Sequence, residues 1–509
     1  MIKRYFFILA MCIFMLSAVG QTSPKDDFET ACGGYEQAPI TKKWDGSYTP
    51  CTKGSGTHDD PYQITEPEHL AYMAQCVKYG VGAEDNVVFK GVYFILMINI
   101  DLNNIEWTPI GYRIKDSWHY FFGGHFNGNG HTISGLFVNC KDEWLGLFGG
   151  IKDGSVICLK VKGEIERKDP PIPTPPPPPP IPPPPPPPPP HSDPYAGGIV
   201  GYAENTTIQY CYSECNIHLE NTDPTFIGGI AGACIGGDIS FCGNTGKLIA
   251  FSAWKTIYVG GIAGYTTATV SNSYNTGEIS SVFDDASEIC CRGGIVGYSN
   301  ADITDCYNMG NIFGECSLRR FSGGIVAAAL DNTIKNCYNA GGISHTEGGV
   351  NLGKKYNNVE INNCYYRDDL GGNNSLGGTP KTESFMKTTE MVELLETAFW
   401  QDLQDVQNGI PYFNQGYPIL FNRDLSVGIT EPIALHRVAV YPNPANNQLL
   451  ITNYELRNNA ADYSIYNIMG QMLMQGTLQG ETTILNVEPL AKGIYYLKIA
   501  DEAIKFIKE

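Results

Sequence analysis

The sequence has no long apolar run beyond its first 20 residues and is short of basic side chains. No later stretch reaches the roughly 18 apolar residues of a membrane-spanning helix, which argues against a helical anchor there. The 34 Lys and Arg residues face 53 Asp and Glu residues, giving a net charge of −19. Because such a surface repels phosphate backbones and anionic head groups, we expect no nucleic acid as a partner.

The familiar metal-binding patterns are also missing. His119, His125 and His131 recur every six residues, but no HExxH or CxxC spacing accompanies them. We therefore predict no metal site, no cofactor and no catalytic residue of the zinc-peptidase type.

The N-terminus has the order of a secretory signal peptide. Lys3 and Arg4 precede an apolar run from Tyr5 to Leu16, and small residues follow up to Gly20. We predict a signal peptide over residues 1–20, then a leader over 21–55. Of the 16 cysteines, Cys12 lies in the signal and 15 remain. An odd number leaves at least one thiol unpaired within the monomer.

A glycine-rich block recurs through the centre of the chain. GGIVGY begins at Gly197, and close copies begin at Gly228, Gly260, Gly293 and Gly323. The isoleucines of successive blocks are 31, 32, 33 and 30 positions apart. Each unit carries three or more glycines and lacks helical periodicity, which argues against stacked helix pairs. The pattern predicts an all-β fold, a parallel β-helix of about 31 residues per coil with like residues stacked in columns.

A corner is predicted before a Cys or Ser in each coil. An aliphatic residue lies three positions earlier, yet both are expected in the core, so the intervening chain must bend. Asn or Asp, which tolerate a left-handed backbone, precede the Cys or Ser in four copies, at positions 272, 305, 336 and 363. Tyr210 and Phe241 stand there in the first two copies, so we expect those bends to be made differently.

A proline tract over residues 170–190 interrupts the repeats with 18 prolines. From Leu147 to Ile199 is 52 positions, and removing the 21 of the tract leaves 31, the period. We interpret the tract as an insertion in one loop of a continuous solenoid. A straight polyproline rod of this length would span about 65 Å, so the loop must bend back. It is either a tolerated expansion or a ligand for an aromatic groove on a partner.

Helical caps are predicted at both ends of the solenoid because the end coils leave backbone groups unpaired. Residues 65–68 resemble a helix start with a capping box. The apolar stripe that follows comprises Leu70, Met73, Ala74 and Val77. The C-terminal cap spans 380–425, with a helix at 387–399. Its inward residues are Met391, Leu394, Leu395 and Ala398.

The cysteines of the repeats allow two interpretations. Stacked coils bring Cys211 near Cys242, and Cys306 near Cys337, within reach of a disulfide in an exported protein. Buried thiols fit equally well, since Ser273 occupies an equivalent position. Cys32 and Cys51, before the solenoid, are the better disulfide candidates.

These segments resemble a known family. GTHDDPYQI from Gly56, FNGNGHTISGLF and the GGIVGY repeats resemble the bacterial GLUG-repeat surface proteins, which accompany IgA-protease-like and adhesin chains. KTTEMVELLETAFW followed by GYPIL resembles their closing segment. The resemblance covers about residues 56–421. It implies a β-helix, assigned here to 56–425, and no single activity.

The repeat pattern gives way to a different sequence pattern in the C-terminal residues. Short alternating strands from Val438 predict a small Ig-like β-sandwich over 438–509, after a linker at 426–437. YPNPANNQLLI, YNIMGQML, LAKGIYYLKI and KFIKE resemble the type A sorting domain of type IX secretion. The resemblance implies recognition by the outer-membrane translocon and removal by a surface protease between Leu425 and His436. The passenger, exported through the periplasm, would remain at the surface or be released.

Four tyrosines suggest a binding surface. Tyr212, Tyr274, Tyr307 and Tyr338 follow the core Cys or Ser, one per coil, and would form an exposed ladder for stacking on sugars. Plain solenoid surface is the other interpretation. We predict a non-enzymatic protein that adheres to a host or matrix glycan or protein.

The rival prediction is a polysaccharide-degrading lyase or hydrolase on a right-handed β-helix. Such chemistry needs clustered carboxylates or a basic residue beside calcium. The paired aspartates Asp284–Asp285 and Asp368–Asp369 and the pair Arg319–Arg320 do not recur in the repeat register. We therefore interpret them as solvated loop charges and predict no catalytic residue.

Overall fold

The computed structural model describes residues 42–113, 119–139, 143–168, 194–220, 225–252, 256–283, 290–315, 320–344, 351–370, 376–402, 414–420, 438–441, 448–453, 460–467, 471–479, 482–499 and 502–508. The predicted signal peptide, the proline tract and the predicted linker at 426–437 lie outside these residues. The chain divides into two compact units, residues 1–423 and 424–509.

The first unit is a parallel β-solenoid of about eight turns, as the repeats predicted. Strands of each coil pair in parallel with those of the next coil, and this pairing builds three sheets. The strand Tyr112–Arg113 is an exception, because it pairs antiparallel with His119–Phe122. The largest sheet, here called the long sheet, comprises Tyr62–Ile64, Val87–Val88, Tyr93–Leu96, Tyr112–Arg113, His119–Phe122, His125–Asn127, Phe148–Lys152, Ser155–Ile157, Val200–Gln209, Ala231–Ser240, Ala263–Thr266, Thr269–Ser271, Val296–Ser299, Ile303–Thr304, Val326–Leu330, Thr333–Lys335, Leu352–Tyr356 and Glu360–Asn362.

Two further sheets close the cross-section. The second, here called the tyrosine sheet, comprises Ile100–Asp101, Thr132–Val138, Lys160–Lys168, Tyr212–Glu220, Gly243–Asn244, Leu248–Ser252, Tyr274–Asn275, Ile279–Phe283, Tyr307–Asn308, Ile312–Glu315, Tyr338–Asn339, Tyr365–Arg367 and Thr379–Lys381. The third, here called the short sheet, comprises Trp144–Leu145, Tyr195–Gly197, Thr225–Gly228, Ile257–Gly260, Cys290–Gly293 and Arg320–Gly323.

The isoleucine column that the repeats predicted is present. The members, Ile199, Ile230, Ile262, Ile295 and Ile325, are fully buried in one core cluster. The residue after each isoleucine pairs with its equivalent in the next coil. Since a fully buried Ile stabilises by roughly 1.5–3 kcal/mol, this column is a main source of the solenoid's stability.

The corner before the Cys or Ser also agrees with prediction, with one correction. The residue at this corner has φ between 47° and 56° in seven successive coils, namely Cys158, Tyr210, Phe241, Asn272, Asp305, Asn336 and Asn363. The expectation that Tyr210 and Phe241 make the bend differently was wrong. Their neighbours in the next coils fix the path of the chain, so the aromatic residues adopt the same left-handed conformation.

A ladder of buried asparagines runs inside the tyrosine sheet. Asn244, Asn275 and Asn308 each donate from Nδ2 to Oδ1 of the next asparagine at 2.8 Å, and Asn339 ends the series. Each Nδ2 also donates to the carbonyl two residues later. In the last four GGI blocks the second glycine faces this ladder: a Cβ on Gly261 would lie 2.4 Å from the Asn275 side chain. That glycine is therefore needed for space.

The solenoid continues across the proline tract. Lys160–Lys168, before the tract, pairs in parallel with Tyr212–Glu220, after it. Phe148 likewise pairs with Val200, 52 positions later. The coils on either side of the tract are thus neighbours in the solenoid.

The N-terminal helix spans Pro67–Lys78 and packs on the solenoid core through its predicted stripe, Leu70, Met73, Ala74 and Val77. Its N-cap is Glu66, which makes no side-chain cap hydrogen bond. The predicted capping box is therefore absent. Pro67 suits the first turn because its fixed φ is helical and it has no N–H to satisfy.

The C-terminal segment forms two helices and a 3-10 turn where one helix was predicted. The helices span Glu383–Met386 and Thr389–Leu394, and the turn spans Glu396–Ala398. Met391 and Leu395 are buried, whereas Leu394 and Ala398 are half-buried. Among the described residues, no helix has the length and apolar character to cross a membrane.

The column cysteines are buried thiols, which decides between the two interpretations. Cys211, Cys242, Cys306 and Cys337 are free, and each Sγ lies 3.1–3.3 Å from the carbonyl oxygen two residues earlier. Ser273 donates to the equivalent carbonyl at 2.7 Å, which explains why serine can replace cysteine here. Of the other disulfide candidates, Cys51 has a free thiol and Cys32 lies outside the described residues. Cys158, by contrast, is disulfide-bonded.

The second unit contains two antiparallel sheets, as predicted for a small sandwich. One comprises Val438–Tyr441, Gln448–Asn453 and Thr482–Asn486, and the other Ala460–Asn467, Met472–Gln479, Gly493–Ile499 and Glu502–Lys508. Leu449, Ile465, Leu485 and Leu497 are buried, in keeping with strands that alternate between apolar and polar faces.

Candidate functional site

The four predicted tyrosines lie in one column on the tyrosine sheet. Tyr274, Tyr307 and Tyr338 pair directly across successive coils. Their rings stack, with centroids 5.2 Å and 5.1 Å apart and planes within 9° and 2°. Gly243 separates Tyr212 from Tyr274 in the register, and the Tyr212 and Tyr274 rings are 6.3 Å apart and tilted by 44°.

The prediction that all four are exposed was wrong. Tyr307 and Tyr338 are fully buried. The C-terminal segment covers them with its own apolar side chains, Met386, Met391, Leu395, Phe399, Tyr417 and Leu420. The helical stripe of this segment had been expected against the solenoid end, but it buries its apolar residues against the flank of the last coils.

Hydrogen bonds fix this cover on Tyr338. The Tyr338 hydroxyl donates to the Pro418 carbonyl at 2.5 Å and accepts from Asn414 Nδ2 at 2.8 Å. The Asp402 carboxylate in turn accepts from the backbone N–H groups of Asn414 and Gly416, at 2.7 Å and 2.9 Å. Burial raises the pKa of Tyr338 well above its usual value, so this phenol stays neutral and serves as a structural hydrogen-bonding group.

The other end of the column, formed by Tyr212 and Tyr274, is partly accessible. Tyr212 and Tyr274 are half-buried. A Cβ on Gly243 would lie 2.5 Å from Cζ of Tyr274, so this glycine makes room for the Tyr274 ring to lie over the neighbouring coil. Two partly exposed rings on a rigid sheet therefore face the surroundings here.

Charged side chains flank Tyr212. The Glu214 carboxylate, two residues along the same strand, pairs with Lys160 and, at 2.8 Å, with Lys162. Burial alone would raise the pKa of Glu214, but hydrogen bonds from the two lysines hold it below its usual value. The carboxylate is therefore ionised at neutral pH.

A second aromatic pair lies at the adjacent corner, and sequence reasoning overlooked it as a site. The rings of Tyr210 and Phe241 stack with centroids 4.8 Å apart and planes within 14°. Both side chains are half-buried. The departure from Asn or Asp at this corner was the sequence signal that could have identified the pair.

A hydrogen-bonded network borders this pair on the long sheet. The Asp238 carboxylate accepts from Gln209 Nε2 at 3.1 Å, Ser240 Oγ at 2.7 Å and Thr269 Oγ1 at 3.0 Å. Gln209 and Ser240 immediately precede Tyr210 and Phe241. The corner thus combines flat apolar rings with fixed amide, hydroxyl and carboxylate groups.

The histidines that recur every six residues lie in separate surroundings. His119 packs against the Trp144 ring at 5.7 Å, whereas His125 stacks on Tyr93 at 4.4 Å and lies 2.9 Å from Ser155 Oγ. Burial lowers the pKa of His125 and of His131. Within the described part of the chain, no three His, Cys, Asp or Glu side chains are grouped to hold a metal.

The paired charges do not form a described site either. Asp369 pairs with Arg367 on the surface, with Arg367 Nε at 2.6 Å from its carboxylate. Asp284, Asp285 and Arg319 lie outside the described residues.

Comparison with known families decides the role of the second unit. Residues 439–509 match the family described as the secretion system C-terminal sorting domain. The C-terminal unit is a secretion-system sorting domain. The presence of this sorting domain indicates that the chain is exported by type IX secretion to the cell surface or the extracellular space. This agrees with the resemblance found in the sequence.

Similarity to whole proteins is more limited. A 119-residue stretch is 34% identical to a candidate Gly-rich membrane protein of Evansella cellulosilytica, and covers 22% of this chain and 12% of that protein. A solved candidate immunoglobulin A1 protease from Bacteroides ovatus has a TM-score of 0.44 at 17% identity, over 72% of this chain and 94% of that one. An IgA1 protease structure has a TM-score of 0.39 at 12% identity, over 85% of this chain and 33% of that one.

Proposed function

We propose that this protein is a non-enzymatic surface or secreted protein whose solenoid adheres to host or matrix glycans. The observation that carries the proposal is the partly accessible end of the tyrosine column, where Tyr212 and Tyr274 present partly exposed rings on the sheet. Aromatic faces pack well on the C–H faces of sugars, and the charged triad at Glu214 offers hydrogen-bonding groups beside them. Tyr307 and Tyr338 are no longer part of this binding surface, since the C-terminal segment covers them.

The delivery route forms part of the proposal. The signal peptide over residues 1–20 would take the chain to the periplasm, and the outer-membrane translocon would recognise the sorting domain. A surface sorting protease would then cut in the linker at 426–437. The solenoid would remain attached to the cell or be released, and in either case it would face an external ligand.

A glycan is favoured over a protein partner because the accessible surface is narrow. Specific protein interfaces bury about 800 Å² on each partner, usually around a desolvated apolar centre. The Tyr212–Tyr274 end is instead a small aromatic area bordered by ionised side chains, which suits hydroxyl-rich ligands.

The proposal is tested with the purified full chain and a panel of immobilised glycans. We expect retention on at least one glycan without new reducing or unsaturated ends. Cleavage would instead support the polysaccharide-degrading alternative, and a chain retained on none would refute glycan binding. Tyr212→Ala with Tyr274→Ala should weaken retention, whereas Tyr79→Ala, which removes a tyrosine 71% exposed beside the N-terminal helix, should not. Equal retention by both variants would remove the tyrosine column from the binding surface.

A further inference from the structure

Two aromatic residues stand at a backbone position that is unfavourable for them. Tyr210 and Phe241 have φ of 53° and 54°, in the left-handed region that bulky side chains adopt only at a cost. The next four coils use residues that adopt this conformation more easily, Asn272, Asp305, Asn336 and Asn363. Asparagine or aspartate would form the same bend with less strain. The strained backbone of an aromatic residue at this position therefore indicates a role other than stabilising the fold.

The two rings form a small flat surface on the outside of the solenoid. Cys211 and Cys242, the next residues, point into the core, so the rings at the corner point away from it. Their centroids are 4.8 Å apart and their planes differ by 14°. Since both side chains are half-buried, part of this surface faces solvent.

Polar groups border the surface at fixed positions. Asp238 accepts hydrogen bonds from Gln209, Ser240 and Thr269, and this holds four polar side chains together over three coils. Asp238 and Gln209 are half-buried and Thr269 is exposed, so these groups can also reach a ligand. Sugar rings are recognised by this combination of an aromatic face and a ring of hydrogen-bonding groups.

We propose that Tyr210 and Phe241 form a stacking platform for the pyranose rings of a neutral polysaccharide, an assignment that rests on the glycan-binding function proposed above. The Asp238 carboxylate beside the rings and the net charge of −19 disfavour an anionic chain. The platform lies on an open corner, so it contacts one side of a polymer and does not enclose a single sugar. Tyr212 and Tyr274, past the corner, extend the aromatic surface along the same ligand.

The test replaces both rings with the residue that the later coils use. Tyr210→Asn with Phe241→Asn should weaken retention on soluble β-glucan, mannan or galactan in affinity electrophoresis by tenfold or more, for whichever polysaccharide the wild-type chain binds. Because asparagine suits the left-handed corner, the melting temperature should stay the same or rise. Loss of binding together with retained stability separates a ligand role from a structural one.

The control is Phe313→Ser, which removes an aromatic ring 37% exposed elsewhere on the solenoid and should leave retention unchanged. A wild-type chain that binds none of the polysaccharides overturns the function and the platform together. A wild-type chain that binds, with an Asn variant that binds equally well, overturns the platform alone.

A second measurement covers the case in which the Asn variant fails to fold. Phe241→Trp keeps an aromatic ring and introduces a fluorescent reporter at the corner. Subtracting the wild-type emission from that of the variant gives the fluorescence of the introduced tryptophan. This fluorescence difference should change when the polysaccharide that the protein binds is added. An unchanged difference at saturating polysaccharide contradicts the platform.

Discussion

The buried asparagine ladder allows a prediction whose size follows from counted hydrogen bonds. Asn275 takes part in four: it donates to Gly277 O at 2.9 Å and Asn308 at 2.8 Å, and accepts from Gly277 N at 3.2 Å and Asn244 at 2.8 Å. Asn339, at the end of the ladder, takes part in two, donating to Gly341 O and accepting from Asn308. Both side chains are fully buried, so water cannot replace what is lost.

Substitution by alanine should therefore have graded effects. A buried hydrogen bond contributes about 1 kcal/mol net, so Asn275→Ala should lower the free energy of unfolding by about 4 kcal/mol and Asn339→Ala by about 2 kcal/mol. The two sites share chemistry, burial and sheet, and differ in the number of ladder neighbours. Asn339→Ala is thus a matched control for Asn275→Ala.

The assay is denaturant unfolding of the full chain followed by circular dichroism, with the slope compared between variants to verify that the same surface unfolds. Hydrogen exchange adds a local readout, because the Gly277 amide loses its acceptor in Asn275→Ala. Equal losses of stability for the two variants, or a loss below about 1 kcal/mol for Asn275→Ala, would refute the reasoning that each hydrogen bond of the ladder adds to the stability of the solenoid.

Three further predictions concern the cover, the cysteines and the export signal. Tyr338→Phe should lower the free energy of unfolding by about 1–2 kcal/mol, because it removes the hydrogen bonds to Pro418 and Asn414. Tyr307→Phe should leave this free energy unchanged, since the buried Tyr307 hydroxyl has no partner among the described residues. A larger loss of stability for Tyr307→Phe than for Tyr338→Phe would contradict this. Alkylation of the native protein should leave the column cysteines unmodified and denaturation should expose them, while a disulfide within the column, found by mass spectrometry, would show the buried-thiol assignment to be wrong. The cysteines concerned are Cys211, Cys242, Cys306 and Cys337. Deleting residues 438–509 should trap the chain in the periplasm, and surface display of the truncated chain would contradict the sorting assignment.

Much of the solenoid was predictable because its interactions are local in the repeat. A side chain at one position meets its equivalent about 31 residues away, so the spacing of Ile199, Ile230 and Ile262 is itself the contact pattern. The same reasoning located the neighbours on either side of the proline tract. The asparagines of the ladder recur in the sequence at the repeat spacing. Their structural role became evident only from the structure, in which the second glycine of the later GGI blocks faces their side chains.

The candidate site was less predictable, because it depends on a segment outside the repeat. Residues 383–420 have no repeat partner, and their amphipathic pattern showed that they cover something without showing what. In the structure, apolar side chains of residues 386–399 and 417–420 cover Tyr307 and Tyr338, which removed half of the predicted tyrosine surface. The strain at Tyr210 and Phe241 likewise became evident only from the backbone angles.

By itself, the sequence determined the coil length, the columns of inward-facing core residues and the sorting domain. Each of these features depends on residues at a fixed spacing or on contiguous motifs. Only the tertiary structure decided which outward side chains remain accessible. The reason is physical: repetition specifies contacts between neighbouring coils, whereas exposure on the flank depends on where a non-repeating segment finds enough apolar surface to bury.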